Sequence, residues 1–159
     1  MNQTNMNEIE KQFFLKTITG KYRYLEYGAG QSTDIARCVC GSVKSIETDK
    51  EWAEMFKAVH VNMGETTHWG YPRKQPSITE LHEYFSHARD YDILFIDGRF
   101  RTGVALHAQP GLIMIHDYER TEYHLVEQFM EKIEQVDRLA LFQKAEPAIV
   151  TLEVLSNPI

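Results

Sequence analysis

Two apolar runs that each stop on a carboxylate constrain this chain more than any other feature. The first is Tyr91-Asp92-Ile93-Leu94-Phe95-Ile96-Asp97, and the second is Gly111-Leu112-Ile113-Met114-Ile115-His116-Asp117. Short apolar runs bounded by turn residues read as strands buried on both faces. The stretch between them is long enough for a helical crossover, which makes the two strands parallel neighbours. In an open parallel sheet the carboxyl ends of adjacent strands floor the ligand crevice. Asp97 and Asp117 are therefore expected side by side on that floor.

The rest of the sequence supplies more strand–helix units. Residues 23–27 form a strand that runs into Tyr27-Gly28-Ala29-Gly30, and residues 43–47 form a second. Helices are expected over 7–18, 32–38, 50–59, 79–88 and 102–108, with Ser32 or Thr33 near the second N-cap and Asp49 capping the third. Val61 is expected in a very short strand. Residues 65–77, with Trp69-Gly70-Tyr71-Pro72 and Pro76, read as a loop. Tyr123, Val126, Phe129, Met130 and Ile133 stand at helical spacing, so a helix is expected over 121–134. Strands over 138–142 and 148–155 are expected to close the chain as an antiparallel hairpin. The fold class is thus α/β: a Rossmann-like, doubly wound, mostly parallel sheet with a C-terminal antiparallel hairpin. The 159 residues make one domain, 1–159, with 1–20 as a leading helix.

Composition narrows the partners. The formal net charge of −6 argues against a large nucleic-acid surface. No apolar run approaches the ~18 residues of a membrane span, and residues 1–10 lack a signal-peptide core. Cys38 and Cys40 are too close in sequence to pair with each other, which suits a reducing cytoplasm.

The Gly-rich turn carries a cofactor expectation. Gly28 permits a tight exit from the strand, Gly30 lets a ligand approach the backbone, and the next helix offers unpaired N–H groups. A dinucleotide fingerprint needs a third glycine where this chain has Thr33. Glu47, at the end of the second strand, can accept hydrogen bonds from two ribose hydroxyls.

Glu26-Tyr27-Gly28-Ala29-Gly30-Gln31-Ser32 resembles the E/D-x-G-x-G motif of class I S-adenosylmethionine-dependent methyltransferases. The resemblance implies that Glu26, Gly28, Gly30 and Ser32 cradle the amino-acid part of the cofactor, that Glu47 takes its ribose, and that Asp97 and Trp69 also line its site. Asp97 and Asp117 match the strand-end aspartates of metal-dependent O-methyltransferases of the catechol and macrolide-sugar types. The Asp117-Tyr118 pair is closer to the sugar type. That likeness implies Mg²⁺ or Mn²⁺ on Asp97 and Asp117, an ion that would polarise an acceptor hydroxyl; no third protein ligand is evident. Asp97-Gly98-Arg99-Phe100-Arg101, Ile115-His116-Asp117-Tyr118, Tyr123-His124 and Trp69-Gly70-Tyr71-Pro72 resemble a group of methyltransferase-like proteins across residues 23–143.

The expected catalytic residues are Asp97, Asp117 and His124, the last as a general base. His116 is expected to point away from Asp117 if the strand alternates. Arg99 or Arg101 is expected either to pair with an aspartate or to bind an anionic group of the acceptor. The expected activity is O-methylation of a sugar or small polar molecule, with a homodimer partner as one means of closing an open crevice. Two alternatives stand beside it: a non-catalytic module that kept the fold, and a nicotinamide-dependent enzyme.

Overall fold

The computed structural model describes residues 6–146. Five strands run parallel: β1 (Arg23–Tyr27), β2 (Ser42–Glu47), β3 (Val59–His60), β4 (Ile93–Ile96) and β5 (Gly111–Ile115). Two more, β6 (Glu131–Val136) and β7 (Leu139–Lys144), add an antiparallel hairpin beside β5. The spatial order is β3-β2-β1-β4-β5-β7-β6. After β3 the chain crosses back over β1 to lay down β4, so the direction of winding switches between β1 and β4. Such a switch opens a crevice at the carboxyl ends of those strands.

Alternation along the strands divides the core into two layers. Leu25, Tyr27, Leu94, Ile96, Ile113 and Ile115 face one side, with Tyr84 from α4 (Ile78–Ser86) and Val104 and Ala105 from α5 (Arg101–His107). Tyr24, Ile93, Phe95 and Met114 face the other, against Phe13, Phe14 and Ile18 of α1 (Glu8–Ile18) and Ala36 of α2 (Gln31–Val39). All four residues of β4 are buried, as expected for a central parallel strand.

Three expected elements differ. The helix over 50–59 is α3 (Lys50–Phe56); it stops because Lys57 adopts a left-handed conformation at φ 52°. Val59 then pairs with Ile46 as part of β3, while Val61, expected in that strand, lies just past it and donates its N–H to the Glu47 carbonyl. Over 121–134 there is no continuous helix. A 3-10 helix covers Thr121–Gln128, the chain breaks at Phe129, and β6 follows. The helical spacing of Phe129 and Ile133 is coincidental: Ile133 lies on an edge strand and is 52% exposed. β7 covers the strand expected over 138–142, and β6 joins it in a hairpin through Asp137 (φ 52°) and Arg138. The strand expected over 148–155 lies outside the described residues.

α2 begins at Gln31 with Gly30 as its N-cap, so Ser32 and Thr33 lie in the first turn near that cap, and the Thr33 hydroxyl accepts from the Gly30 N–H at 2.9 Å. Asp49 does cap α3, accepting from the Trp52 N–H at 2.9 Å. Cys38 and Cys40 are free thiols. Among the described residues no helix is long and apolar enough to cross a membrane.

Candidate functional site

A cleft of about 740 Å³ opens at the carboxyl ends of β1, β2, β4 and β5, where the winding reverses. Its walls include Gly28, Gly30, Ser32, Glu47, Trp69, Asp97 and Asp117. Seven residues named from the sequence thus converge on one cavity. Glu26 and His124 do not line it.

The turn after β1 is shaped by Gly28, whose φ is +93°. A Cβ there would lie 2.7 Å from the Gly98 nitrogen, so the loops after β1 and β4 touch. A Cβ on Gly30 would meet nothing within 4 Å, which leaves open space over the backbone. Beneath the turn lies Glu26, fully buried. Its carboxylate accepts from Tyr24 Oη (2.8 Å), Ser32 Oγ (2.8 Å), Ser45 Oγ (2.5 Å) and the Thr33 hydroxyl. Burial raises its pKa, and these hydroxyl donors oppose the rise. Glu26 therefore ties the turn down from below, and Ser32 turns its hydroxyl to that carboxylate.

Glu47 forms the opposite shoulder. One oxygen accepts from the Ala29 N–H (3.0 Å) and the other from the Thr48 (2.7 Å) and Asp49 (3.0 Å) N–H groups. Burial lifts its pKa against those backbone donors. Trp52 closes this end by donating Nε1–H to the Ala29 carbonyl at 2.5 Å. Trp69 is 66% exposed and sits at φ 63° in a 3-10 turn (His68–Gly70), anchored where the Gly70 carbonyl accepts from Thr48 Oγ1. The Arg99 guanidinium lies 4.0 Å from the centre of the Tyr71 ring on the same wall.

The floor is a network of charges. Arg101, only 3% exposed, places Nη2 3.2 Å from Asp97 Oδ1 and 3.0 Å from Asp117 Oδ2. Its other donors reach the carbonyls of Gly98 (3.1 Å) and His116 (2.5 Å). His116 does not point away as strand alternation predicts. Its Nδ1 lies 3.1 Å from Asp97 Oδ1 and 3.7 Å from Asp117 Oδ1. The cause is Asp117, which takes φ 53° directly after β5 and folds its carboxylate back. Behind His116 stands Glu10 of α1, fully buried, 3.5 Å from Nε2 and paired with Arg138 at 2.9 Å. Arg138 also reaches Asp117 at 3.4 Å.

Burial alone would raise Asp97, but the His116 hydrogen bond and the Arg101 charge hold its pKa below the usual value. Burial alone would lower His116, but Asp97, Asp117 and Glu10 together raise it. For Glu10, N–H donors from Asn7 and Arg138 and the Arg138 guanidinium overcome burial and lower its pKa. Asp97 Oδ2 makes no hydrogen bond among the described residues, and the Asp97 side chain is still 31% exposed on the cleft wall.

Glu10, His116 and Arg138 were not foreseen as site residues. Glu10 and Arg138 are 128 positions apart, so no local pattern relates them. His124 is exposed and its Nε2 sits 2.9 Å from the Tyr118 carbonyl, its ring tilted against that of Tyr118 and outside the cleft lining. Asp97, Asp117 and His116 Nδ1 offer donor atoms within 4.8 Å of one another, a set whose chemistry would suit a divalent ion. The Arg101 guanidinium already stands between the carboxylates, however, so the residues as arranged do not fit one.

Solved structures share this architecture. A methyltransferase-like protein from Silicibacter pomeroyi DSS-3 superposes with a TM-score of 0.83 at 27% identity, over 97% of this chain and 94% of that one. The fold is a methyltransferase fold. The N-methyltransferase NodS from Bradyrhizobium japonicum, in complex with S-adenosyl-L-homocysteine, aligns at a TM-score of 0.51 and 14% identity over 89% of this chain and 90% of that one. The MycE methyltransferase of the mycinamycin pathway, in complex with Mg and S-adenosylhomocysteine, aligns at 0.55 and 13% identity. That alignment covers 94% of this chain and 53% of MycE. These two likenesses speak to fold alone. No family model and no curated protein sequence matches the chain.

Proposed function

We propose that this chain transfers a methyl group from S-adenosylmethionine to a hydroxyl oxygen of a small polar acceptor, such as a sugar. The observation that carries the reading is the convergence, in one cleft, of the open space at Gly30, the Glu47 carboxylate and the partly exposed Asp97. These residues fit the cofactor. The Gly28–Gly30 turn would take its amino-acid end, Glu47 its ribose hydroxyls, and Trp52 and Trp69 its flat base. S-adenosylmethionine supplies a methyl group made electrophilic by its sulfonium.

The protein's own part is to hold and orient. Asp97 Oδ1 is fixed by His116 and Arg101, which leaves Oδ2 as the oxygen that can accept from an acceptor hydroxyl. Bound S-adenosylmethionine would give its methyl group to the acceptor oxygen and leave as S-adenosylhomocysteine, while Asp97 Oδ2 would take the hydroxyl proton. Because the Asp97 pKa is held low, the carboxylate stays ionised and takes that proton late, as the oxygen acquires positive charge. No step passes through a metal.

The test is transfer of label from methyl-tritiated S-adenosylmethionine to a panel of sugars, polyols and amines. Hydroxyl acceptors should be labelled, and Asp97→Asn should slow transfer by roughly 10²-fold or more while still binding S-adenosylhomocysteine. Labelling confined to amines, or an Asp97→Asn variant as fast as the parent, would contradict the oxygen reading.

A further inference from the structure

We propose that Arg101 is a built-in cation occupying the position where a strand-end carboxylate pair would otherwise recruit a divalent metal, so that this site works without one. The inference concerns the floor of the cleft and does not depend on methyl transfer being the reaction.

Two carboxylates this close repel unless a positive charge lies between them. In this chain the charge is covalently attached. Arg101 opens α5, and Phe100 before it adopts φ 54°, a left-handed turn that directs the helix start across the strand ends. The side chain is buried, and one Nη2 faces an oxygen of each aspartate at 3.2 and 3.0 Å. Its Nε and Nη1 donate to the carbonyls of Gly98 and His116 at 3.1 and 2.5 Å, and the Asp97 carbonyl also lies 3.2 Å from Nη2. A guanidinium engaged through all three of its nitrogens is held in place. Flexible surface arginines seldom behave this way, because their ends stay hydrated.

The third potential metal donor is also committed. An ionised Asp97 can only accept, so the 3.1 Å contact requires a proton on His116 Nδ1, and a protonated nitrogen has no lone pair for a metal. Charge balance points the same way. Glu10, Asp97 and Asp117 are met by Arg101 and Arg138 in direct contact, and Arg120 adds a further contact to Asp117 at 3.6 Å. A divalent ion would enter a cluster that is already neutralised, and it would have to displace a buried arginine to reach its ligands.

The test uses Mn²⁺ as probe, read by the loss of its free-ion electron paramagnetic resonance signal and by the thermal unfolding midpoint of the full chain. Wild-type protein should leave the free Mn²⁺ signal intact, and neither Mn²⁺ nor a chelator should move its midpoint. Arg101→Met removes the internal cation and should unfold earlier. Added Mn²⁺ should restore its midpoint, with affinity about tenfold or more above wild type. Arg101→Lys, which keeps a charge, should gain little. Adding Asp117→Asn to Arg101→Met should abolish the gain. Stoichiometric Mn²⁺ uptake by the wild-type chain, lost in Asp97→Asn, would overturn the proposal, and that comparison needs no Arg101 variant to fold. A folded Arg101→Met that binds Mn²⁺ no better than wild type would overturn it as well.

Discussion

His116 Nδ1 lies 3.1 Å from Asp97 Oδ1, a contact across the floor of the cleft between residues nineteen positions apart. Burial works against both charges, but the contact lowers the Asp97 pKa and raises that of His116, so each group's charge favours the other's. Asp97 thereby keeps one oxygen fixed and the other available to a ligand.

This pairing has a pH signature. The folded pKa of His116 is raised above its ordinary 6.5, so its contribution to stability is complete below that pH and is lost as pH rises through the folded value. Asp97 and Glu10 are lowered from 3.8 and 4.5, so theirs are complete above those values and are lost on acidification. The unfolding midpoint should therefore be highest between the carboxylate and imidazole ranges and fall on both sides. His116→Gln should flatten the alkaline limb. An unchanged slope above pH 6.5 in that variant would show that the imidazole does not carry it.

Gly28→Ala should destabilise the protein and displace Asp97 together. The backbone there stands at φ +93°, and the new methyl carbon would fall 2.7 to 2.9 Å from backbone atoms of Asp97 and Gly98. Left-handed strain and the clash together should cost at least ~2 kcal/mol in denaturant unfolding. A neutral outcome would mean that the two loops do not touch in solution. Gly30→Ala is the control, since its Cβ would meet open space. It should preserve stability and weaken cofactor binding.

Trp69 offers a separation of stability from binding. It is largely exposed, lines the cleft and holds φ 63°, a conformation that glycine adopts without penalty. Trp69→Gly should leave stability unchanged or improve it by up to ~1 kcal/mol. The same variant should weaken binding of S-adenosylhomocysteine, measured by calorimetry. Equal affinity in parent and variant would remove Trp69 from the site.

Much of this arrangement is legible in the sequence because it is written locally. β1 runs from Arg23 to Tyr27 as the apolar pattern predicts, and Glu47, Asp97 and Asp117 fall at or just past strand ends on one edge of the sheet. Patterning fails where a single dihedral or a distant partner decides. The left-handed turn at Asp117 reverses the direction expected for its carboxylate and brings His116 inside. The ion pair of Glu10 with Arg138 joins α1 to the last hairpin and leaves no trace in either segment alone. Residues 131–136 mimic a helix because an edge strand can carry charges on both faces, which blurs its period of two. Glu26 sits at the motif position of a cofactor ligand, yet its neighbours supply four hydroxyls that hold it beneath the turn.

Calorimetric titration with S-adenosylhomocysteine, with NAD as the comparison ligand, tests the central claim most directly. The account predicts micromolar binding of the homocysteine compound, none of NAD, and a loss of about tenfold or more in Glu47→Ala, in keeping with hydrogen bonds to a charged group. No heat with S-adenosylhomocysteine, or binding of NAD in its place, would contradict it.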